Sequence, residues 1–392
     1  MYRQFRNFQV PFFFLVFLKN VLLYLQKSCF IFLQNKEKYP EGFMEKRVLK
    51  CAVVGLGRIA WSDHLPFLQK DPRFELTALV DPLEERGKEG CELFGVPRSY
   101  TSVEALLEKE IPDLAVICSP TGFHAQQSIA FLEKGVHVFC DKPVASSLEE
   151  TLAMFEAARK NDRKLMIYQP RRLFPNSYAI RQILASGKLG KIYQVKLAIN
   201  GYSRRNDWQA FRKYGGGMLR NYGAHYVDQV ISLWKEEFEI LMCESRCVAT
   251  LGDADDVFKL VMKGKSSSIL VDIDVNQAAG VYPYVWILYG EYGSAYLPRF
   301  GGEWVLRYFD PAELPELPKL DTLAAPGRRY PSSPVPFREE TFKPEGVKPF
   351  VEEYYTNMYE YIVHNAVPLV PPAETIQLMR LLQQAIFMAE GK

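Results

Sequence analysis

The sequence predicts an α/β protein of two domains: an N-terminal doubly wound parallel sheet, then an α+β domain built on a mainly antiparallel open sheet. Three observations carry that prediction. Between Cys51 and Tyr168, short continuous apolar runs alternate with amphipathic stretches, the grammar of buried parallel strands joined by crossover helices. The first run, Cys51-Ala-Val-Val54, stops at Gly55-Leu-Gly57-Arg58-Ile59-Ala60, a strand entering a glycine loop. Beyond Gln169 continuous apolarity gives way to alternation, as in Ile269, Val271, Ile273 and Val275 set against Leu270, Asp272, Asp274 and Asn276.

In the glycine loop, Gly55 permits the tight turn, Gly57 lets the backbone approach a pyrophosphate, and small Ala60 lets the next helix pack closely with its positive end toward phosphate. That helix runs to about Lys70, and Phe74–Val80 is the second strand. Asp81 follows it, twenty-one residues beyond Ala60, where an acid would bind the adenine ribose hydroxyls. Together these features predict a Rossmann dinucleotide-binding unit that prefers NAD to NADP, because Asp81 would repel a 2′-phosphate. Thr101-Ser-Val-Glu104 is a capping-box pattern opening a short helix, and Leu114–Cys118 is a buried strand ending in Ser119-Pro-Thr121-Gly-Phe-His124. An amphipathic helix follows to Lys134 and closes at Gly135; Val136–Cys140 is the next strand, ending in Asp141-Lys142-Pro143. Ser146-Ser-Leu-Glu149 caps the helix Leu148–Lys160, and Lys164–Tyr168 is the sixth strand. Ligand groups of such a sheet cluster at strand C-terminal ends, where Gly55, Asp81, Ser119 and Asp141 fall.

The second domain opens with a helix over Pro175–Ser186. Gly215-Gly-Gly-Met-Leu-Arg-Asn221-Tyr-Gly-Ala-His225 is a flexible turn entering a helix on which Asn221 and His225, four apart, share a face. Residues 311–349 hold nine prolines and read as a long surface excursion over the sheet; helices at about 350–365 and 372–389 close the chain. The domains are thus 44–169 and 170–392.

Composition narrows the function. With 392 residues, 48% hydrophobic, and a formal net charge of +2, the chain can bury a large core divided into two domains and has no basic excess for nucleic acid. Its seven cysteines, Cys29, Cys51, Cys91, Cys118, Cys140, Cys243 and Cys247, are scattered and read as buried free thiols of a reducing, cytoplasmic compartment. No His, Cys and carboxylate cluster suggests a metal. Residues 1–43 differ from the rest: Phe12–Leu18 and Val21–Leu25 are apolar but interrupted by Lys19-Asn20, short of bilayer length, with no signal cleavage site. They are open to three readings: a membrane anchor, an atypical targeting segment, or a start assigned upstream of Met44. A membrane is a partner only if this extension is genuine.

The motifs together resemble the Gfo/Idh/MocA family of nicotinamide-dependent oxidoreductases. Four occur in family order: GxGxxA at Gly55–Ala60, Ser119–His124, Asp141-Lys142-Pro143 where the family usually has Glu-Lys-Pro, and the glycine turn followed by Asn221 and His225. Arg172-Leu-Phe-Pro175 is similar to the segment after the sixth strand. The resemblance covers Val48–Lys392 and implies that Lys142 and His225 work beside the nicotinamide, with Asn221 standing where many relatives have aspartate. It implies a homodimer or homotetramer joined through the open sheet. The expected cofactor set is Gly55, Gly57, Arg58, Ile59, Ala60, Asp81, Ser119, Thr121, His124, Asp141 and Lys142. Arg172, Tyr202 and Trp208 are expected to line a sugar or polyol pocket. The expected reaction is hydride transfer to or from a secondary hydroxyl carbon; a glycoside-processing enzyme that retains NAD, oxidising and eliminating, and a ligand sensor without chemistry are the rivals.

Overall fold

The computed structural model describes residues 47–391 apart from 322, 324, 325 and 329–332. The extension over 1–43, the start at Met44 and Cys29 lie outside the described residues. Val48–Lys392 forms one compact unit.

Its first sheet has the strand order β3-β2-β1-β4-β5-β6, every pair parallel. The strands are β1 (Leu49–Val54), β2 (Phe74–Val80), β3 (Ser99–Tyr100), β4 (Leu114–Ile117), β5 (His137–Cys140) and β6 (Leu165–Ile167). All four residues of β4 are buried because helices cover both faces, which is why these strands are apolar throughout. The order reverses between β1 and β4, and the crevice beyond their C-terminal ends is the ligand position of such sheets. A π-helical turn, Ala60–His64, runs from the glycine loop into α1 (Leu65–Leu68). Then come α2 (Glu84–Phe94), α3 (Val103–Leu107), α4 (His124–Glu133) and α5 (Leu148–Lys160). Both capping serines act one residue later than the motifs suggest: Ser102 Oγ accepts the Ala105 N–H and Ser147 Oγ the Glu150 N–H, each at 3.1 Å. Ser102 and Ser147 are the residues in extended conformation, as an N-cap must be.

The second sheet runs β14-β13-β12-β11-β7-β10-β9-β8, antiparallel except where β7 (Ile192–Asn200) pairs with β10 (Leu270–Asn276). Its other strands are β8 (Phe238–Arg246), β9 (Val257–Gly264), β11 (Trp286–Gly290), β12 (Gly293–Leu297), β13 (Trp304–Tyr308) and β14 (Arg338–Phe342). Along β10, Val271, Ile273 and Val275 are buried while their neighbours are half-buried. The helices here are α6 (Pro175–Ser186), α7 (Met218–Trp234), α8 (Phe350–Val363) and α9 (Pro372–Ala389); α9 packs on β8 and on α7, α7 on β9 and β10, and α6 on α7. The proline-rich segment is more than a surface excursion, since it returns as the edge strand β14 beside β13. The helix α8 reaches back to the first sheet: the Tyr355 ring stacks on Phe67 at 4.8 Å and meets Phe74 and Phe139 edge-on, and the Tyr354 hydroxyl donates to Gln169 O at 2.6 Å. Among the described residues six cysteines are free; Cys51, Cys140 and Cys243 are buried, but Cys247 is exposed on the loop after β8, against the expectation that all are interior.

Candidate active site

A cavity of about 910 Å³ opens at the C-terminal ends of the first sheet, between the glycine loop and α7. Gly55 shapes its floor, with φ 84° and its Cα packed so closely on the turn after β4 that a Cβ would stand 2.5 Å from Ser119 N. No substitution fits there. Gly57, Arg58 and Ile59 line the cavity beside it, whereas Ala60 is buried beneath. Asp81 braces the loop from the end of β2: one carboxylate oxygen accepts the Leu56 N–H at 2.9 Å, the other the Leu83 N–H at 3.0 Å. Each oxygen retains accepting capacity, and Asp81 lines the cavity with Arg86 3.9 Å away. Open space above the loop, amides held by Asp81 and an acid at the strand end fit a dinucleotide.

Ser119 and Thr121 line the same wall, Ser119 Oγ donating to Gln127 Oε1 at 2.6 Å. His124 does not reach the cavity. Its ring is clamped between two carbonyls, Ser119 O at 2.7 Å and Pro143 O at 2.8 Å, so it ties the turn after β4 to the turn after β5 and contacts no cofactor space. Asp141 accepts the Lys142 N–H at 2.8 Å and lines the wall; burial raises its pKa, against Lys142 and His124.

Lys142 Nζ donates to Asn221 Oδ1 at 2.7 Å, and Asn221 Nδ2 donates to Gln209 Oε1 at 3.0 Å. Asn221 is therefore fixed from both ends. Its helix, α7, enters through a turn where the Gly217 N–H donates to Gln209 O at 3.0 Å, so the loop that supplies the Gln209 side chain also anchors the helix start. His225, one turn on, lines the cavity with its Nδ1 buried and without a hydrogen-bond partner among the described residues. Burial, then the Lys142 and Arg171 charges, hold its pKa well below 6.5, so the imidazole is neutral at physiological pH. Burial likewise lowers Lys142 to about 8, with Arg171, Arg58 and Arg205 acting in the same direction against Asp141. No carboxylate contributes to the His225 shift, consistent with asparagine at position 221.

Of the residues expected around a substrate, Trp208 lines the cavity. Tyr202 does not: it is 63% exposed and bridges Ala278 at the sheet end. Arg172 does not either. It is buried in a network with Asp228 (2.8 and 2.5 Å), Glu374 (2.6 Å) and Leu369 O (3.0 Å), and it does not line the crevice. Its neighbour Arg171 lines the cavity instead, together with Gln209 and Arg220, none of which the motifs single out. Among the described residues no cluster of His, Cys, Asp and Glu could hold a metal ion, and no helix is long and apolar enough to cross a membrane.

Residues 49–169 match the model of an oxidoreductase family with an NAD-binding Rossmann fold, and residues 178–296 match the GFO/IDH/MocA C-terminal domain. The chain is 28% identical to the D-glucoside 3-dehydrogenase of Escherichia coli over 47% of its own length and 54% of that protein's. It is 26% identical to the myo-inositol 2-dehydrogenase of Thermotoga maritima over 60% and 70% of the respective chains. The matches span 54% to 60% of the length of the first curated relatives. Among solved structures, an NAD-binding protein from Listeria innocua superposes with a TM-score of 0.74 at 22% identity, over 88% of this chain and 96% of that one, a likeness of fold.

Proposed function

The chain belongs to the Gfo/Idh/MocA family of NAD-binding oxidoreductases, and from that premise we propose that it moves hydride between nicotinamide and a secondary hydroxyl carbon of a sugar, cyclitol or sugar derivative. The observation that supports this most is the junction of Lys142, Asn221 and His225 on the cavity wall that faces the glycine loop. Gly55, Gly57, Arg58 and Ile59 would hold the pyrophosphate, Asp81 the adenine ribose, and Ser119, Thr121 and Asp141 the nicotinamide half. Bound NAD supplies the hydride acceptor, or in reverse the donor.

The protein's own groups manage the hydroxyl. The ammonium of Lys142, oriented by Asn221, donates to the substrate oxygen and stabilises the charge that builds there. His225, kept neutral, accepts the hydroxyl proton at its imidazole. Asn221 holds Lys142 in place without adding a negative charge, and Trp208 offers an aromatic face to the ring of the substrate. The lysine, amide and imidazole assembled at one cavity favour catalysis over a sensor. The domains are divided at 169/170, the subunits pair through the outer face of the second sheet as a dimer or tetramer, and the free thiols suit the cytoplasm. Initial rates of NADH formation over a panel of sugars and cyclitols test the reading. Lys142→Ala and His225→Ala should each lower turnover by about 100-fold while leaving NAD affinity nearly unchanged, and near-normal turnover in both would remove it.

A further inference from the structure

Two adjacent arginines at the end of β6 have opposite fates. Arg172 spends its donors on Asp228, Glu374 and a carbonyl. Arg171, in the 3₁₀ turn Pro170–Leu173, lines the catalytic cavity and is in no ion pair among the described residues. Its guanidinium is held by aromatic faces: the central carbon lies 4.5 Å from the Tyr226 ring centre, 5.6 Å from Phe174 and 6.0 Å from Tyr222. Its Nε is buried without an acceptor among the described residues, and the side chain lines the cavity with its Nη groups as the remaining donors. Arg205, in the same cavity, is by contrast chelated by Asp207 at 3.0 and 2.7 Å. The position of the Arg171 charge is thus fixed by aromatic rings, and no carboxylate is paired with it among the described residues.

We propose that the substrate carries a carboxylate and that Arg171 is the specificity-determining residue that grips it, two Nη donors on two oxygens. A planar fork matches a carboxylate, and ring stacking orients the fork. A sugar acid, with its carboxylate on Arg171 and a hydroxyl between Lys142 and His225, meets this demand; the inference rests on the dehydrogenase reading above. The electrostatics agree, because the Arg171 charge depresses the proton affinity of both Lys142 and His225. A carboxylate on Arg171 offsets that charge, making His225 the better base when the correct substrate is bound.

The test uses the full chain with saturating NAD and matched pairs: glucuronate against glucose, galacturonate against galactose. The acid of at least one pair should exceed its neutral partner in kcat/KM by tenfold or more, and Arg171→Met should bring that ratio close to one with unchanged NAD titration. Thermal stabilisation of the NAD-bound protein by the acid, lost in Arg171→Met, reads the same contact without turnover, so an inactive protein still reports on it. Neutral sugars oxidised as fast as their acids would overturn the inference and leave the dehydrogenase reading standing. Acids that stabilise through Arg171 but never reduce NAD would do the reverse. Weakened NAD binding in Arg171→Met would assign the residue to the cofactor, a better response to glucose 6-phosphate than to glucuronate would replace the carboxylate with a phosphate, and no stabilisation by any acid would equally overturn the proposal.

Discussion

Replacing Asn221 with aspartate tests the division of labour between Lys142 and His225. Asn221 Oδ1 lies 2.7 Å from Lys142 Nζ, so the new carboxylate forms a close ion pair with the ammonium. At an effective dielectric near 20, unit charges 4 Å apart interact by about 4 kcal/mol, equivalent to about three pH units at 1.36 kcal/mol each. Desolvation of the carboxylate in the same crowded space takes back roughly half, so Lys142 should move from about 8 to about 9.5. Gln209 can reverse its amide and donate to the new carboxylate, so the local geometry survives. If Lys142 acts as the ammonium, wild-type kcat/KM falls as pH rises through about 8, and in Asn221→Asp that alkaline limb moves up by about 1.5 pH units. The acidic limb, set by His225, also moves upward, because a carboxylate favours the imidazolium. The assay is the initial rate of NADH formation between about pH 5 and 10 in a constant-ionic-strength buffer. A wild-type rate that climbs through pH 8 would make neutral Lys142 the base, and an alkaline limb unmoved in the variant would show that Lys142 is not the group titrating there.

Removing the Asp81 carboxylate in Asp81→Ala should weaken NAD by about 10- to 100-fold, and NADP less, in fluorescence titrations; equal losses would take the acid away from the ribose. Arg172→Met leaves Asp228 buried without its partner and should destabilise by about 3–5 kcal/mol in urea denaturation, with Arg172→Met/Asp228→Leu recovering most of it. Gln209→Ala frees the Asn221 amide and should lower kcat several-fold with little change in NAD affinity; an unchanged kcat would remove it as a positioning residue. His64, bonded to the Tyr355 hydroxyl at 2.8 Å, is lowered by burial from 6.5 to about 4, so the unfolded chain binds a proton there that the folded one refuses. Its contribution to stability is complete above pH 6.5 and is lost as pH falls toward 4, by about 2 kcal/mol at pH 5. Between pH 7 and 5, His64→Phe should therefore lose about 2 kcal/mol less than wild type in urea denaturation, and equal losses would remove His64 as the source.

The parallel strands were legible because burial on both faces demands unbroken apolar runs, and the Lys142, Asn221 and His225 positions because strand ends and a four-residue helical spacing place them without tertiary knowledge. Other features depend on packing that sequence does not display. The helix α2 contains Gly87 and Gly90; a Cβ on Gly90 would stand 2.6 Å from the Leu79 side chain, so the glycine admits a close helix-to-strand approach. The edge strand β14 has no buried residue and so no alternation to announce it. That α8 packs on the first sheet through Tyr355 is a contact across nearly three hundred positions of chain, visible only once both partners are placed.

Arg171 and Arg172 are neighbours in sequence but part company in the fold, one lining the cavity and the other buried against Asp228. Arg172 is expected at a substrate pocket because its fork of donors suits a polyol, and the expectation fails for a local reason: Pro170–Leu173 is a 3₁₀ turn, in which successive side chains diverge by about 120°. One guanidinium then faces the crevice and the next faces inward. Burial of Arg172 is tolerable only because Asp228 and Glu374 meet it, and Asp228 lies on α7 three residues beyond His225. The inward arginine thus anchors the helix that presents Asn221 and His225, while the outward one supplies charge beside them. A motif that preserves both arginines cannot say which is structural and which is chemical; the carboxylates around Arg172, and their absence around Arg171 among the described residues, do say so.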